Sequence, residues 1–113
     1  MVIPEGSLIL VDLDLTLTLD TSWTVEEALH AKPNKDMIAW VNEQYRKKNV
    51  IIIYSARTQE LMEASKYWLK TNGVHYHSIR FNKIPAFILV DDRTITPDQL
   101  LKEWKEEKGG ETK

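Results

Sequence analysis

Three short apolar runs stand out along the chain, at residues Leu8–Val11, Val50–Tyr54 and 87–90. Apolar and polar residues do not alternate inside these runs, which is typical of strands that are covered on both faces. Residues 75–79 predict a further short strand. The pattern therefore predicts a mostly parallel sheet with a buried interior.

Helical spacing of apolar residues predicts three helices, over residues 34–48, 58–72 and 96–104. Asn34 and Thr96 are suitable N-caps, and Pro97 fits the first turn of the last helix. Because strands and helices alternate, the predicted fold is α/β, a three-layer α/β/α Rossmann-like arrangement around a parallel sheet.

Length and composition narrow the function classes. With 113 residues the chain fits one domain, which we expect over residues 1–107, followed by a disordered tail at 108–113. The net charge of −2 gives no basic surface for nucleic acid, although a nucleic-acid substrate stays open. The absence of cysteine excludes disulfides and thiolate zinc sites. Without an apolar leader or spanning segment, we expect a soluble, cytoplasmic protein that does not bind membranes.

Polar side chains follow each apolar run at the point where a strand should end. The first run is followed by acids, the second by Ser55 and Arg57, and the third by acids again; the four acids are Asp12, Asp14, Asp91 and Asp92. The carboxyl ends of parallel strands meet at one edge of a sheet, where ligands bind. Four carboxylates at that edge would repel each other unless a cation lay between them, and oxygen ligands favour Mg²⁺ over zinc.

The order of these residues resembles the haloacid dehalogenase superfamily of phosphatases. Its four motifs are similar here to Asp12-Leu13-Asp14-Leu15-Thr16, to Ser55, to Lys83 and to Asp91-Asp92. Many members have glycine where this chain has Leu15. The chain is most similar to small capless members from capsule biosynthesis and phages, and to the phosphatase part of polynucleotide kinase-phosphatases. The resemblance implies a haloacid dehalogenase-like fold and Mg²⁺-dependent hydrolysis of phosphomonoesters.

The resemblance also implies a role for each motif residue. Asp12 would attack phosphorus and form an aspartyl-phosphate, and Asp14 would act as general acid and then general base. Thr16 would order the loop. Ser55 and Lys83 would contact the transferred phosphoryl group and complete the catalytic set.

The remaining site predictions concern substrate and metal. Substrate binding is expected at Ser55, Ala56, Arg57 and Lys83, and metal binding at Asp12, Asp14, Asp91 and Asp92. Asp92 is the preferred direct ligand and Asp91 its support, with exchange of the two roles left open. Arg57 could instead pair with an acid such as Glu60. Asp91 or Asp92 taken alone could equally be a turn or helix cap.

Residues 17–29 leave room for a small flap hairpin but not for a folded cap domain. An open site suits large substrates, or small ones sealed in by a neighbouring subunit in a homo-oligomer. A sugar phosphate, a nucleotide and a 3′-phosphorylated polynucleotide all remain candidates. Trp23 lies outside the helical stripes and is expected near the entrance, whereas His75 and His77 show no metal spacing and are expected to be structural.

Two other classes of protein remain in view. A receiver-like signalling module also uses an acidic pair, an acceptor aspartate, a hydroxyl and a lysine. In receivers, however, the acidic pair follows the first strand and the acceptor a middle one, which is the reverse of the order here. The other alternative is a catalytically idle binding protein, against which the retention of every motif side chain argues.

Overall fold

The computed structural model describes residues 1–111, which alternate between strands and helices. The elements are β1 (Leu8–Val11), α1 (Val25–Leu29), α2 (Lys35–Arg46), β2 (Val50–Tyr54), a 3₁₀ turn (Gln59–Leu61), α3 (Met62–Thr71), β3 (Ser78–Arg80) and α4 (Pro97–Glu111). Within this range the helices are either too short or too polar to cross a membrane.

The strands form a parallel sheet in the order β1-β2-β3, with Leu10 opposite Ile52 and Ile53 opposite Ile79. The predicted α/β, Rossmann-like class is therefore observed. β2 lies in the middle, so β1 has one edge without a strand partner in the part of the chain that the structure describes.

The sheet is covered on one face, which corrects the three-layer prediction. Val11, Ile51 and Ile53 belong to one buried cluster together with side chains from α2, α3 and α4. On the opposite face, Leu8 and Leu10 are 60% and 56% exposed. Because the three longer helices all contribute to the same core, the described residues form two layers.

The helix starts follow the predicted caps, but α4 runs further than expected. The Asn34 side chain accepts from the backbone N–H of Met37 at 3.3 Å, and Thr96 caps α4 in the same way. α4 continues to residue 111, through part of the segment for which disorder was expected. Lys108 explains the extension, because its ammonium lies 3.0 Å from the Glu43 carboxylate and 4.8 Å from the Trp104 ring centroid. Residues 112 and 113 lie outside the described residues.

The strand predicted at residues 87–90 is not formed. The four side chains are between 63% and 105% exposed, and no hydrogen bond to this segment is present within residues 1–111. An apolar run predicts burial only when its backbone groups also find partners. Here an exposed loop connects Lys83 to the N-cap of α4, and the run lies within it.

β3 begins at Ser78, three residues later than predicted. Before it, the side chain of His77 replaces a backbone carbonyl as the partner of a β2 N–H. Its Nδ1 accepts from the Ile51 N–H at 3.0 Å, and its own N–H donates to the Ile51 carbonyl at 2.8 Å. The His75 and His77 rings pack against Tyr45 at centroid distances of 5.3 and 4.7 Å. The predicted structural role of both histidines is confirmed.

The loop between β1 and α2 has a narrow neck and contains a helix, which corrects the predicted hairpin at residues 17–29. Thr18 bridges Pro33 in antiparallel fashion, and the Leu19 N–H donates to the Lys32 carbonyl at 2.8 Å. Beyond this neck, α1 starts with a capping box between Thr24 and Glu27.

Candidate active site

Asp12 and Asp14 lie in the loop that directly follows β1. Leu13 and Leu17 in the same loop are fully buried, and this anchors the backbone while the two acids point outward. Their side chains are 37% and 22% exposed. The alternation of buried leucines with acids therefore presents two partly open carboxylates at the carboxyl end of the strand.

The turn after Asp14 is held by Thr18 rather than by Thr16. The Thr18 hydroxyl lies 3.2 Å from the Leu15 N–H, which donates to it, and 2.6 Å from the Asp20 carbonyl, which accepts from it. Within residues 1–111 the Thr16 side chain makes no hydrogen bond. Sequence reasoning missed Thr18. The available signal was its position between two leucines, because a hydroxyl that is buried with its neighbours, as Thr18 is, needs internal partners.

Lys83 lies against Asp12. Its Nζ is 3.2 Å from Asp12 Oδ2, while Asp12 Oδ1 accepts from the Leu13 N–H at 2.7 Å. The Lys83 backbone N–H donates to the Ser55 carbonyl at 3.3 Å, and this ties the lysine to the end of β2. The structure thus brings the first and third motif residues into contact.

Arg57 forms an ion pair with an acid, which was one of the two predictions, but the acid is Asp14 and not the suggested Glu60. Nη2 of Arg57 lies 2.7 Å from Asp14 Oδ1, and the arginine side chain is only 2% exposed. The Ser22 N–H donates to the same Oδ1 at 3.1 Å. In this arrangement the guanidinium faces Asp14 rather than an incoming substrate.

The other two residues of the second motif differ in access. Ser55 is completely buried, and its Oγ accepts from the Arg57 N–H at 3.0 Å, so it holds the backbone of Arg57 in place. Ala56 is exposed between them. Of the predicted substrate-binding set, Ala56 and the half-buried Lys83 are therefore the residues open to solvent.

Asp91 and Asp92 lie in an exposed turn and do not join the other acids. Asp91 accepts from the Arg93 N–H at 3.0 Å, and Asp92 lies 3.6 Å from the Arg93 side chain. The hydrogen bond from Arg93, reinforced by one with Asp92, holds the pKa of Asp91 below its usual value. This is the turn-capping arrangement that was the alternative for these residues.

The predicted four-acid magnesium site is accordingly not assembled. No group of three or more His, Cys, Asp or Glu side chains in residues 1–111 is placed to hold a metal ion. Asp12 and Asp14 are each neutralised by a cation of the chain, namely Lys83 and Arg57. The repulsion that was expected to require a divalent ion is relieved without one. Asp12 and Asp14, both partly exposed, are the two carboxylates that an ion held together with substrate phosphate would use.

Trp23 follows Ser22, whose N–H donates to the Asp14 carboxylate. Its side chain is 80% exposed, and its expected place near the entrance stays a prediction. Trp40 and Trp68 are buried in the core, and Trp68 Nε1 donates to the Ala31 carbonyl at 2.8 Å. This bond ties the loop that carries Trp23 to α3.

Comparisons with known proteins give a fold relationship. No family model matches the chain, and no curated protein is similar to it in sequence. Among solved structures, a structural-genomics target from Vibrio cholerae superimposes with a TM-score of 0.72 at 22% identity, over 95% of this chain and 99% of that one.

Chains from two structures of the Pnkp1/Rnl/Hen1 complex are also similar. Their TM-scores are 0.63 and 0.58, at 18% and 15% identity, and they cover 88% and 90% of this chain. One of the two structures is described as an RNA repair complex. The present chain spans only about a third, 35% and 31%, of those chains. At these identities the likeness shows a shared fold.

Proposed function

We propose that the protein is a phosphomonoester hydrolase that works through an aspartyl-phosphate on Asp12. The observation that carries this proposal is the placement of Asp12 and Asp14 at the end of β1, each in contact with a cation. Lys83 is 3.2 Å from Asp12 and Arg57 is 2.7 Å from Asp14. Phosphoryl transfer through a covalent intermediate needs a nucleophile, a group that transfers protons and a positive charge near the phosphoryl oxygens, and a carboxylate, a second carboxylate and a lysine can fill these roles.

In the first step, an oxygen of Asp12 attacks phosphorus and the bond from phosphorus to the leaving oxygen breaks. Asp14 donates its proton to that oxygen, so the product leaves as an alcohol. Lys83 neutralises negative charge on Asp12 and on the phosphoryl oxygens. The result is an acyl-phosphate on Asp12.

In the second step, a water molecule attacks the same phosphorus. Asp14, now a carboxylate, takes a proton from the water, and the bond from phosphorus to Asp12 breaks. Inorganic phosphate leaves, the Asp12 carboxylate is restored and Asp14 again carries the proton. The two carboxylates thus return to their starting state.

A dependence on Mg²⁺ is part of the proposal, but no step above is routed through the ion. Magnesium in phosphoryl-transfer sites is held by one or two carboxylates together with substrate phosphate, and bound there it would neutralise phosphoryl charge. Removal of the ion with a chelator and its restoration test the requirement directly.

The substrate classes remain those suggested by the sequence: a sugar phosphate, a nucleotide or a 3′-phosphorylated polynucleotide. The similarity in fold to a chain of an RNA repair complex supports including a nucleic-acid end. The exposed ring of Trp23, one residue after the Ser22 that donates to Asp14, offers a stacking surface for a base. A cytoplasmic location and a homo-oligomer that closes the site stay predictions.

The deciding experiment measures phosphate release from p-nitrophenyl phosphate, sugar phosphates, nucleotides and 3′-phosphorylated oligonucleotides, with magnesium and with chelator. Asp12→Asn should abolish release while remaining folded. Asp36→Asn is the matched control, because this exposed acid pairs with Lys105 away from the proposed machinery, and it should behave as wild type.

Two outcomes would replace the proposal. A folded wild-type protein that is inert on the whole panel would favour a catalytically idle binding protein. An acyl-phosphate that forms from a small phosphodonor and lasts for minutes would favour the receiver-like signalling module, since Asp14 should otherwise hydrolyse it rapidly.

A further inference from the structure

Arg57 is held beneath Asp14 with all three guanidinium nitrogens engaged. Nε lies 3.0 Å from Asp14 Oδ2 and 3.2 Å from Oδ1, and Nη2 lies 2.7 Å from Oδ1. The third nitrogen, Nη1, donates to the Ser65 hydroxyl at 2.8 Å. With 2% of its side chain exposed, Arg57 is screened from substrate.

Ser65 fixes the arginine to helix α3. It is completely buried, and its hydroxyl donates to the Leu61 carbonyl at 2.7 Å while accepting from Arg57. The neighbouring Ala64 is also small and buried. A chain of hydrogen bonds thus runs from the backbone of the helix through Ser65 and Arg57 to the carboxylate of Asp14.

The two oxygens of Asp14 are not equivalent. Within residues 1–111, Oδ1 receives three donors, from Arg57 Nε, Arg57 Nη2 and the Ser22 N–H, whereas Oδ2 receives one, from Arg57 Nε. A carboxylate oxygen has about two lone-pair sites. Oδ1 is therefore saturated, and Oδ2 keeps acceptor capacity.

We infer that Arg57 is a positioning residue that orients Asp14 so that Oδ2 exchanges the proton. This inference rests on the proposed hydrolase function and adds to it the oxygen that carries the proton and the residue that orients it. In the first step the Oδ2–H bond breaks and the proton passes to the leaving oxygen. In the second step Oδ2 takes a proton from the attacking water, so the balance of the cycle is unchanged.

A double-mutant cycle tests the inference. Arg57→Met should lower kcat by about 10²- to 10³-fold, within the range of general acid–base catalysis, while KM does not rise by more than about threefold. Because Arg57 acts through Asp14, adding Arg57→Met to Asp14→Asn should lower kcat no further. A multiplicative loss in the double variant, or a large rise in KM, would instead make Arg57 a substrate contact and overturn the inference.

Milder variants keep the test valid if Arg57→Met fails to fold. Ser65→Ala leaves the ion pair but removes its anchor, and should lower kcat about three- to tenfold at constant KM. Arg57→Lys keeps the charge without the two-nitrogen fork and should restore activity only in part. Full wild-type kcat in both would contradict a positioning role.

The leaving group supplies a readout that a general loss of stability would not produce. p-Nitrophenolate leaves without a proton, so the first step should stay fast in Arg57→Met and release one nitrophenolate per chain in a burst. Later turnover should be slow, because hydrolysis of the acyl-phosphate needs Asp14 as a base. Slow release without a burst argues against the inference. Inactivity of the wild type on every phosphate would instead count against the proposed function itself.

Discussion

At the scale of single residues, Leu15 has a backbone conformation that glycine adopts more readily. Its φ is +57°, in the left-handed region, and its side chain is exposed beside Asp14. The left-handed conformation costs a residue with a Cβ about 1–2 kcal/mol, which the hydrogen bonds of Thr18 and Asp20 to the Leu15 N–H help to offset. The strain lies within the loop that carries Asp12 and Asp14.

Leu15→Gly should therefore stabilise the protein slightly. Relief of strain gains about 1–2 kcal/mol, and the extra freedom of glycine in the unfolded chain returns about 0.5–1 kcal/mol. Leu19→Gly is the matched control, because Leu19 is an exposed leucine of the same loop without positive φ, and it should destabilise. Urea denaturation measures both; equal destabilisation by the two substitutions would contradict the argument.

The Asp14–Arg57 pair should respond unequally to the loss of either partner. Asp14→Ala leaves the cation of Arg57 buried and unpaired, which should cost about 3–5 kcal/mol. Arg57→Met leaves a carboxylate that still faces water and should cost about 1–3 kcal/mol. The double substitution, measured by chemical denaturation, should cost less than the two added together. Equal single effects that simply add would show that the pair is not coupled in the folded state.

At the scale of elements, α4 is attached to α2 through one acid. Glu43 receives hydrogen bonds from Trp104 Nε1 at 2.8 Å and from Lys108 at 3.0 Å, and Lys47 lies 3.8 Å away. Burial raises the pKa of the Glu43 carboxyl, but these donors and the charges of Lys108 and Lys47 outweigh it and leave the pKa below its ordinary value of 4.5.

Acid should weaken this attachment in a defined window. Since the folded-state pKa of Glu43 lies below the unfolded one, its contribution is complete above about pH 4.5 and is lost as the pH falls through the folded value. Thermal midpoints between pH 7 and 3 should therefore fall more steeply for wild type than for Glu43→Gln. Glu63→Gln, at an exposed pair with Lys66, is the control and should follow wild type. Parallel curves for wild type and Glu43→Gln would contradict the prediction.

The helices were more predictable from sequence than the strands, for a physical reason. A helix forms its hydrogen bonds within the segment, so Asn34, Thr96 and the 3.6-residue period report on it locally. A strand depends on a distant partner. Residues 87–90 have strand composition and no partner, and β3 starts late because the His77 imidazole takes an N–H of β2.

The same distinction separates the site residues. The acids after β1 are predictable, because two carboxylates directly behind an apolar run have few structural explanations. An ion pair was one of two predictions for Arg57, but the partner suggested was Glu60 and not Asp14. The anchoring by Ser65 was missed because the position of this serine predicted only that it faces the core. Contacts between elements decide these partners, and a single sequence does not contain them.

At the scale of the whole molecule, residues 87–90 are the most exposed apolar stretch and lie in a loop between β3 and α4. Such loops are preferred sites of proteolysis. Brief chymotrypsin treatment should therefore cut first at Phe87 or Leu89, well before the buried Trp40 and Trp68. Mass spectrometry of the first products checks this, with Phe87→Ser as the control that should slow the cut. Phe87 and Leu89 that stay intact while the buried Trp40 or Trp68 is cut would contradict the prediction.

The neck at Thr18 and Pro33 closes the loop between β1 and α2 near its base. The two ends of residues 20–31 are already joined there by backbone hydrogen bonds, so the loop is closed independently of its length. Doubling the length of a closed loop costs only about 0.6 kcal/mol. Extra residues inserted at the exposed Trp23 should therefore leave the neck closed. The neck thus separates the length of this loop from the backbone that carries Asp12 and Asp14, so a longer segment could be inserted here without rebuilding the end of β1.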